Sequence, residues 1–232
     1  MKKLLLTGCL TVITAIAFAQ NSDGLFQNSI TFGIMGGSNI AFLQAKLPAG
    51  STIANNSISV GSFGVNADIK LNDFLSVRPA LFYTGKGGQL QYIETIIAPG
   101  IGNIDNSITQ QFNLYYFEIP VNVIGHIPIN DSFNILTGAG PYIGLFTNGK
   151  ITTTNGDSNP ETDKAKSGKN GDFKSTDFGA SALLGVEISN GPIIDLNYDI
   201  GLSNIIKNPN SITSIQQLKT GSIYLSVGFA FR

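Results

Sequence analysis

The chain has 232 residues, 42% of them apolar and only 12% charged, with a formal net charge of −1. A balance this weak and slightly acidic leaves no electrostatic footprint for nucleic acid. Beyond the N-terminus no apolar run has the length of a spanning helix, which excludes a helical membrane protein.

Met1-Lys2-Lys3, an apolar run from Leu4 to Phe18, and Ala17-Phe18-Ala19 before Gln20 form a basic region, a hydrophobic region and a small-x-small cleavage site. Residues 1–19 therefore read as a secretory signal peptide, and residues 20–232 as one domain. The run is short for a membrane anchor. Leu6-Thr7-Gly8-Cys9 has the look of a lipoprotein box, but cleavage there would leave almost no hydrophobic region. Cys9 is the only cysteine and leaves with the signal. The processed chain then has no disulfide, thiol nucleophile or cysteine ligand.

Period-two alternation predicts eight strands. The first runs from Ser29 to Phe42. The second, about Ser57 to Leu71, puts Phe63, Val65, Ala67 and Ile69 on one face and Ser62, Asn66, Asp68 and Lys70 on the other. The third, Phe74 to about Gly87, opposes Leu75, Val77, Leu81 and Tyr83 to Ser76, Arg78, Ala80 and Lys86. A central hairpin occupies Leu114 to Phe146. Its first arm sets Tyr115, Phe117, Ile119, Val121 and Val123 against Tyr116, Glu118, Pro120 and Asn122, and its second alternates likewise about Ile135, Ile143 and Leu145. The sixth strand, Ser175 to Ile188, carries Asp177, Ser181 and Glu187 on its polar side. The seventh, Ile193 to about Ile205, carries Asp195, Asn197 and Asp199. The eighth runs from Lys219 to Arg232.

The connections alternate in length. Gln44 to Asn56, Gly88 to Thr109 and Asn148 to Phe173 read as long loops, the last as mobile, and another polar connection follows the seventh strand. Asn72-Asp73, His126 to Asp131 and Asn190-Gly191-Pro192 read as short turns. Long strands with one oily face and alternating connections predict an all-β, eight-stranded antiparallel up-and-down transmembrane β-barrel. Closure is required, because an open edge in lipid leaves backbone groups unsatisfied. The expected address is the outer membrane of a Gram-negative bacterium, with both termini periplasmic.

The same alternation turns Asp68, Lys70, Arg78, Lys86, Glu118, Asp177, Glu187, Asp195, Asp199 and Arg232 into the lumen. Eight strands leave an interior that side chains fill, and buried charges there must pair. The candidate network is Arg78, Glu118, Asp195, Asp199, Glu187 and Asp68, acting as a polar plug. Arg78 with Glu118 is the preferred pair, since their strands are neighbours. An ion or proton path is the competing reading, and the mixture of signs argues against a single-sign selective pore. His126, the only histidine, reads as exposed at the turn beside Asp131 and Ser132, not as a member of a triad. Asp157, Glu161, Asp163 and Asp172 lack calcium-loop spacing and read as solvated charges. No catalytic group, metal site or cofactor is predicted.

The residues also resemble a family, the PorT-like outer-membrane β-barrel proteins common in Bacteroidota. The resemblance spans nearly all the processed chain. It rests on Phe32-Gly33-Ile34-Met35-Gly36-Gly37-Ser38-Asn39, on Leu75 to Gly87, on Tyr116-Phe117-Glu118-Ile119-Pro120 and on Ala139 to Gly144. It continues in Asp177-Phe178-Gly179, in Tyr198 to Ile205, and in the closing Val227-Gly228-Phe229-Ala230-Phe231-Arg232. Ala80 and Met35 depart from a glutamate and a lysine frequent in the family, and Phe231 stands one place before the end. The resemblance implies an outer-membrane barrel, with a secretion accessory role in one family member.

The expected function is that of a non-enzymatic structural or interaction protein with a side-chain-filled lumen. It would be monomeric, solvated by outer-membrane lipid, and would meet protein partners at its outer loops or periplasmic rim. The alternative is a narrow passive pore or small-solute transporter. A lipocalin-type soluble barrel would invert the alternation, and a lipid-modifying enzyme lacks its catalytic group.

Overall fold

Eight long strands pair in a ring. The computed structural model describes residues 30–46, 53–98, 102–156, 158–168, 171–189, 191–207 and 215–231. The proposed signal peptide, Asp157 and Arg232 lie outside these residues. The strands are β1 (Ile30–Lys46), β2 (Ile53–Asn56), β3 (Ile58–Lys70), β4 (Leu75–Ala98), β5 (Gly102–Asn130), β6 (Phe133–Asn155), β7 (Glu161–Lys164), β8 (Thr176–Ile188), β9 (Pro192–Gly201) and β10 (Gln217–Phe231). Each wall strand pairs antiparallel with its neighbours in the order β1, β3, β4, β5, β6, β8, β9, β10. Pairing of β1 with β10, from Phe32 opposite Phe231 to Lys46 opposite Gln217, closes the ring.

The wall follows the predicted alternation. Phe32, Ile34, Phe63, Val65, Phe117, Val123, Leu184, Leu196 and Leu225 face outward and are exposed, while Asn66, Asp68, Arg78, Glu118, Asp177, Asp195 and Asp199 are buried inside. An exposed apolar belt of this extent is unstable in water and matched to lipid. Tyr83 anchors an outer aromatic group, its ring 5.6 Å from Phe63, 5.7 Å from Tyr115 and 5.5 Å from Phe117. Aromatic rings of this kind suit the boundary between hydrocarbon and head groups.

Two expected loops are continuations of strands. The segment Gly88 to Thr109, read as a connection, extends the β4–β5 hairpin until Ala98 pairs with Gly102. Gly87 permits the extension: its φ of 145° suits glycine, and a Cβ there would collide with the backbone of Phe112. Asn148 to Phe173, read as a mobile loop, begins as β6, which pairs with β5 as far as Asn155. Then β7 adds to β6, with Thr152 and Thr162 hydroxyls 3.1 Å apart. Polar Gln, Thr and Asn side chains satisfy strand pairing as well as apolar ones do, so a polar composition did not mean a loop here. With β2 against β4, the sheet projects beyond the apolar belt. The opposite end keeps tight turns, around Asn72, Asp131 and Gly191, and the ends of β1 and β10 lie there.

Candidate functional site in the barrel lumen

The strands turn their alternate side chains into a narrow interior, where the charges form two groups. In the first, Arg78 on β4 donates from Nε to Asp68 Oδ2 at 2.9 Å and from Nη2 to the same oxygen at 2.5 Å. Its Nη1 reaches Asp195 Oδ2 on β9 at 3.5 Å. Glu187 and His126 line the same region, beside Lys70 at the short-turn rim. In the second, Lys86 forms an ion pair with Glu118 and lies 3.5 Å from Asp177. Its ammonium also sits 3.8 Å from the centroid of the Tyr142 ring. Asp177 is the hub: it accepts hydrogen bonds from Ser203 and Thr220, each at 2.7 Å, and from Tyr142 at 3.3 Å. Asp199 accepts one from Ser222 at 3.3 Å. Between the groups, Phe82 and Tyr224 meet edge to face at 6.3 Å.

All six predicted network residues are therefore inside, but the preferred pair does not form. Glu118 stands opposite Phe82 across β4–β5, and Arg78 stands opposite Asn122. Arg78 and Lys86 are each four residues from Phe82 along β4, so register alone leaves Glu118 equidistant from both. Asp68 and Asp195 decide it by occupying the guanidinium of Arg78, which leaves Glu118 to Lys86. A planar fork matches two acceptors, whereas a lysine stem is long enough to bend toward one.

His126 is a second correction. It lies within β5, faces the lumen and is buried, with Nε2 2.8 Å from Ser76 Oγ. Continuation of β5 past Gly125 moved the turn to Asp131 and Ser132. Asp68 Oδ1 approaches this same nitrogen at 3.9 Å. In a Ser-His-Asp relay the serine and the acid meet opposite ring nitrogens, so Ser76, His126 and Asp68 do not have that geometry. Glu161 and Asp163 are exposed on β7.

An apolar layer absent from the sequence reading covers the second charge group at the projecting end. Leu43, Leu90, Phe112, Leu114 and Tyr116 point inward from the wall and pack with Ala165, Phe173, Ile205, Ile206, Ile215 and Leu218. Phe173 lies 6.3 Å from both Phe112 and Phe146. Backbone bonds fix it: Phe173 N donates to Lys166 O at 3.1 Å and Lys174 N to Ile205 O at 2.8 Å. The signal was a change of inward residues from polar to apolar: Leu90 falls in the segment read as a loop, and Phe112 and Leu114 stand where it meets the central hairpin. At the short-turn end, Ile124, Leu136, Ile193 and Ala230 add an apolar lining. A cavity bounded by Asn66, Arg78, Phe82, Asp195 and Tyr224 amounts to about 20 Å³, room for about one water molecule.

The outer membrane protein beta-barrel domain family matches residues 18–207. No curated protein matches the chain. Among solved structures, Neisserial surface protein A is 16% identical over 88% of this chain and 99% of its own, with a TM-score of 0.44. Ail of Yersinia pestis is 13% identical over 87% of this chain and 98% of its own, at 0.38. Outer membrane protein W of E. coli is 13% identical over 89% of this chain and 100% of its own, at 0.39. A closed wall of eight strands with an apolar exterior accompanies a family match over most of the sequence: this chain belongs to the outer membrane protein beta-barrel domain family.

Proposed function

We propose that this barrel is a sealed, non-enzymatic scaffold of the outer membrane whose projecting sheet and short-turn rim engage protein partners. The observation that carries this reading is the filled lumen. Two paired charge groups and an apolar layer occupy it, and a cavity beside Arg78, Asp195 and Tyr224 is about 20 Å³. A solute path needs continuous water-filled space. Among the described residues, Ser76, His126 and Asp68 do not form a relay, since Ser76 and Asp68 meet the same nitrogen of His126.

In this reading the short-turn end, with the ends of β1 and β10, faces the periplasm, because short turns mark that side in outer-membrane barrels. The barrel acts as a monomer solvated by lipid. The sequence resemblance to PorT-like proteins makes a secretion accessory one specific form of this role. The rival reading is a narrow passive pore. Single-channel recording of the refolded chain in planar bilayers separates them, alongside a variant with Phe173, Ile206 and Leu218 changed to serine. Silence from both supports the scaffold. Steady conductance from the unaltered chain overturns it in favour of the pore.

A further inference from the structure

Positive charge is spread unevenly along the barrel axis. Among the described residues every exposed lysine, namely Lys46, Lys150, Lys164, Lys166, Lys174 and Lys207, lies toward the projecting end. At the short-turn end the exposed charges among those residues are Asp73 and Asp131.

Strand register forces two of these lysines together. Lys150 on β6 and Lys164 on β7 are direct partners. Their Cβ atoms then stand about 5 Å apart, and like charges placed so repel. Lys150 is also opposite Asn113 on β5, two residues beyond Tyr115. Tyr115 faces outward, stacked on Tyr83, so Asn113, Lys150 and Lys164 share the outer face. Glu161 and Asp163 have the opposite parity on β7 and belong to the other face. Glu94 and Asp105 stand farther out, toward the tip of the β4–β5 hairpin. Among the described residues neither Lys150 nor Lys164 has an ion pair.

The aromatic group sets the height of this pair. Two residues of a tilted wall strand gain about 5 Å of height, and the head-group layer beyond the hydrocarbon is about 5–7 Å deep. Lys150 and Lys164 therefore stand within head-group depth of Tyr83 and Tyr115. The same step recurs on the far side of the ring. There the Phe42 ring lies over Gly221 and 6.5 Å from the Tyr198 ring. Lys219 stands two residues beyond Gly221 toward the projecting end, opposite Gln44.

We propose that Lys150 with Lys164, and Lys219 on the far side, bind phosphate groups of the phosphorylated glycolipid in the outer leaflet. A phosphate between Lys150 and Lys164 replaces their repulsion with two charge-assisted contacts. Depth selects a lipid phosphate over a soluble anion, because both places lie on the lipid-facing surface just above the aromatic rings. The proposal rests on the reading that the projecting end faces outward, and it holds whether the lumen is sealed or conducts.

Native mass spectrometry of the refolded chain released from detergent micelles tests it, with diphosphoryl lipid A and its dephosphorylated form as probes. The unaltered chain is expected to retain the phosphorylated probe at least about tenfold better. The triple variant Lys150→Gln, Lys164→Gln and Lys219→Gln is expected to lose that preference, and arginine at the same three positions to keep it. Equal retention of the two probes by the unaltered chain overturns the proposal, as does a preference that survives the glutamine substitutions. Displacement of the lipid by an equal concentration of inorganic phosphate overturns the lipid assignment. The comparison of probes on the unaltered chain stands even if a variant does not refold. Sidedness is read separately. Thr162→Cys is expected to react with a membrane-impermeant maleimide on whole cells. Reaction only after permeabilisation overturns the outward orientation, and the outer leaflet with it, without altering the phosphate preference measured in micelles.

Discussion

Tyr142 holds the ammonium of Lys86 3.8 Å from its ring centroid and turns its hydroxyl to Asp177, 3.3 Å away. One side chain thus serves both members of a buried ion pair. Removing the cation from this site leaves the buried carboxylates of Glu118 and Asp177 without it. Lys86→Met is expected to destabilise the barrel by about 3–5 kcal/mol, the usual cost of breaking one side of a buried pair. Tyr142→Phe keeps the ring and loses one hydrogen bond, for about 1 kcal/mol. Urea unfolding in liposomes, followed by gel mobility of the folded and unfolded forms, measures both.

The partition of charges into two groups makes a sharper prediction. A double-mutant cycle between Arg78 and Asp68 is expected to show coupling of about 1–3 kcal/mol, because two guanidinium nitrogens reach one carboxylate oxygen. The cycle between Arg78 and Glu118 is expected to be additive within about 0.5 kcal/mol. Strong coupling in the second cycle would show that Arg78 spans the two groups.

Phe173 is fully buried against Phe112 and Phe146 although it follows the most polar stretch of the chain. Phe173→Ala removes a ring from that layer and is expected to cost about 3–5 kcal/mol. The eight wall strands do not depend on it, so the loss is expected to be local. Limited proteolysis should cut the variant near β7 while the wall stays protected. Cutting at equal rates in variant and unaltered chain would show that the layer does not pin this segment.

Position relative to lipid separates two otherwise similar substitutions. Leu225 is 56% exposed on the wall, and Leu225→Arg is expected to cost about 2–4 kcal/mol if it lies near the bilayer midplane. Thr162 is exposed on β7, and Thr162→Arg is expected to stay within about 0.5 kcal/mol. Equal penalties in liposome refolding would mean that the apolar belt is misplaced.

Alternation reads well wherever one face meets lipid. Val121 and Asn122, or Leu196 and Asn197, cannot exchange faces without putting an amide in hydrocarbon, so parity alone assigned Asp68, Arg78, Glu118, Glu187, Asp195 and Asp199 to the lumen. The same rule is silent beyond the lipid, where both faces of a strand meet water or a folded loop. That is why Gly88 to Ala98, Gly102 to Thr109 and Asn148 to Asn155 read as loops although they are strand, and why the turn was placed at His126.

By itself the sequence determined the number of wall strands, their antiparallel order and which carboxylates and cations of the lipid-facing wall turn inward. Those follow from local period-two chemistry and the need to satisfy every backbone group in lipid. Only the tertiary structure decided which charges meet. Lys86 and Arg78 are equally spaced from the residue opposite Glu118, and their partners come from β3, β5, β8 and β9, brought together by closure of the ring. The apolar layer was decided in the same way, since Phe173, Ile206 and Leu218 meet Phe112 only when segments far apart in the chain fold over one open end.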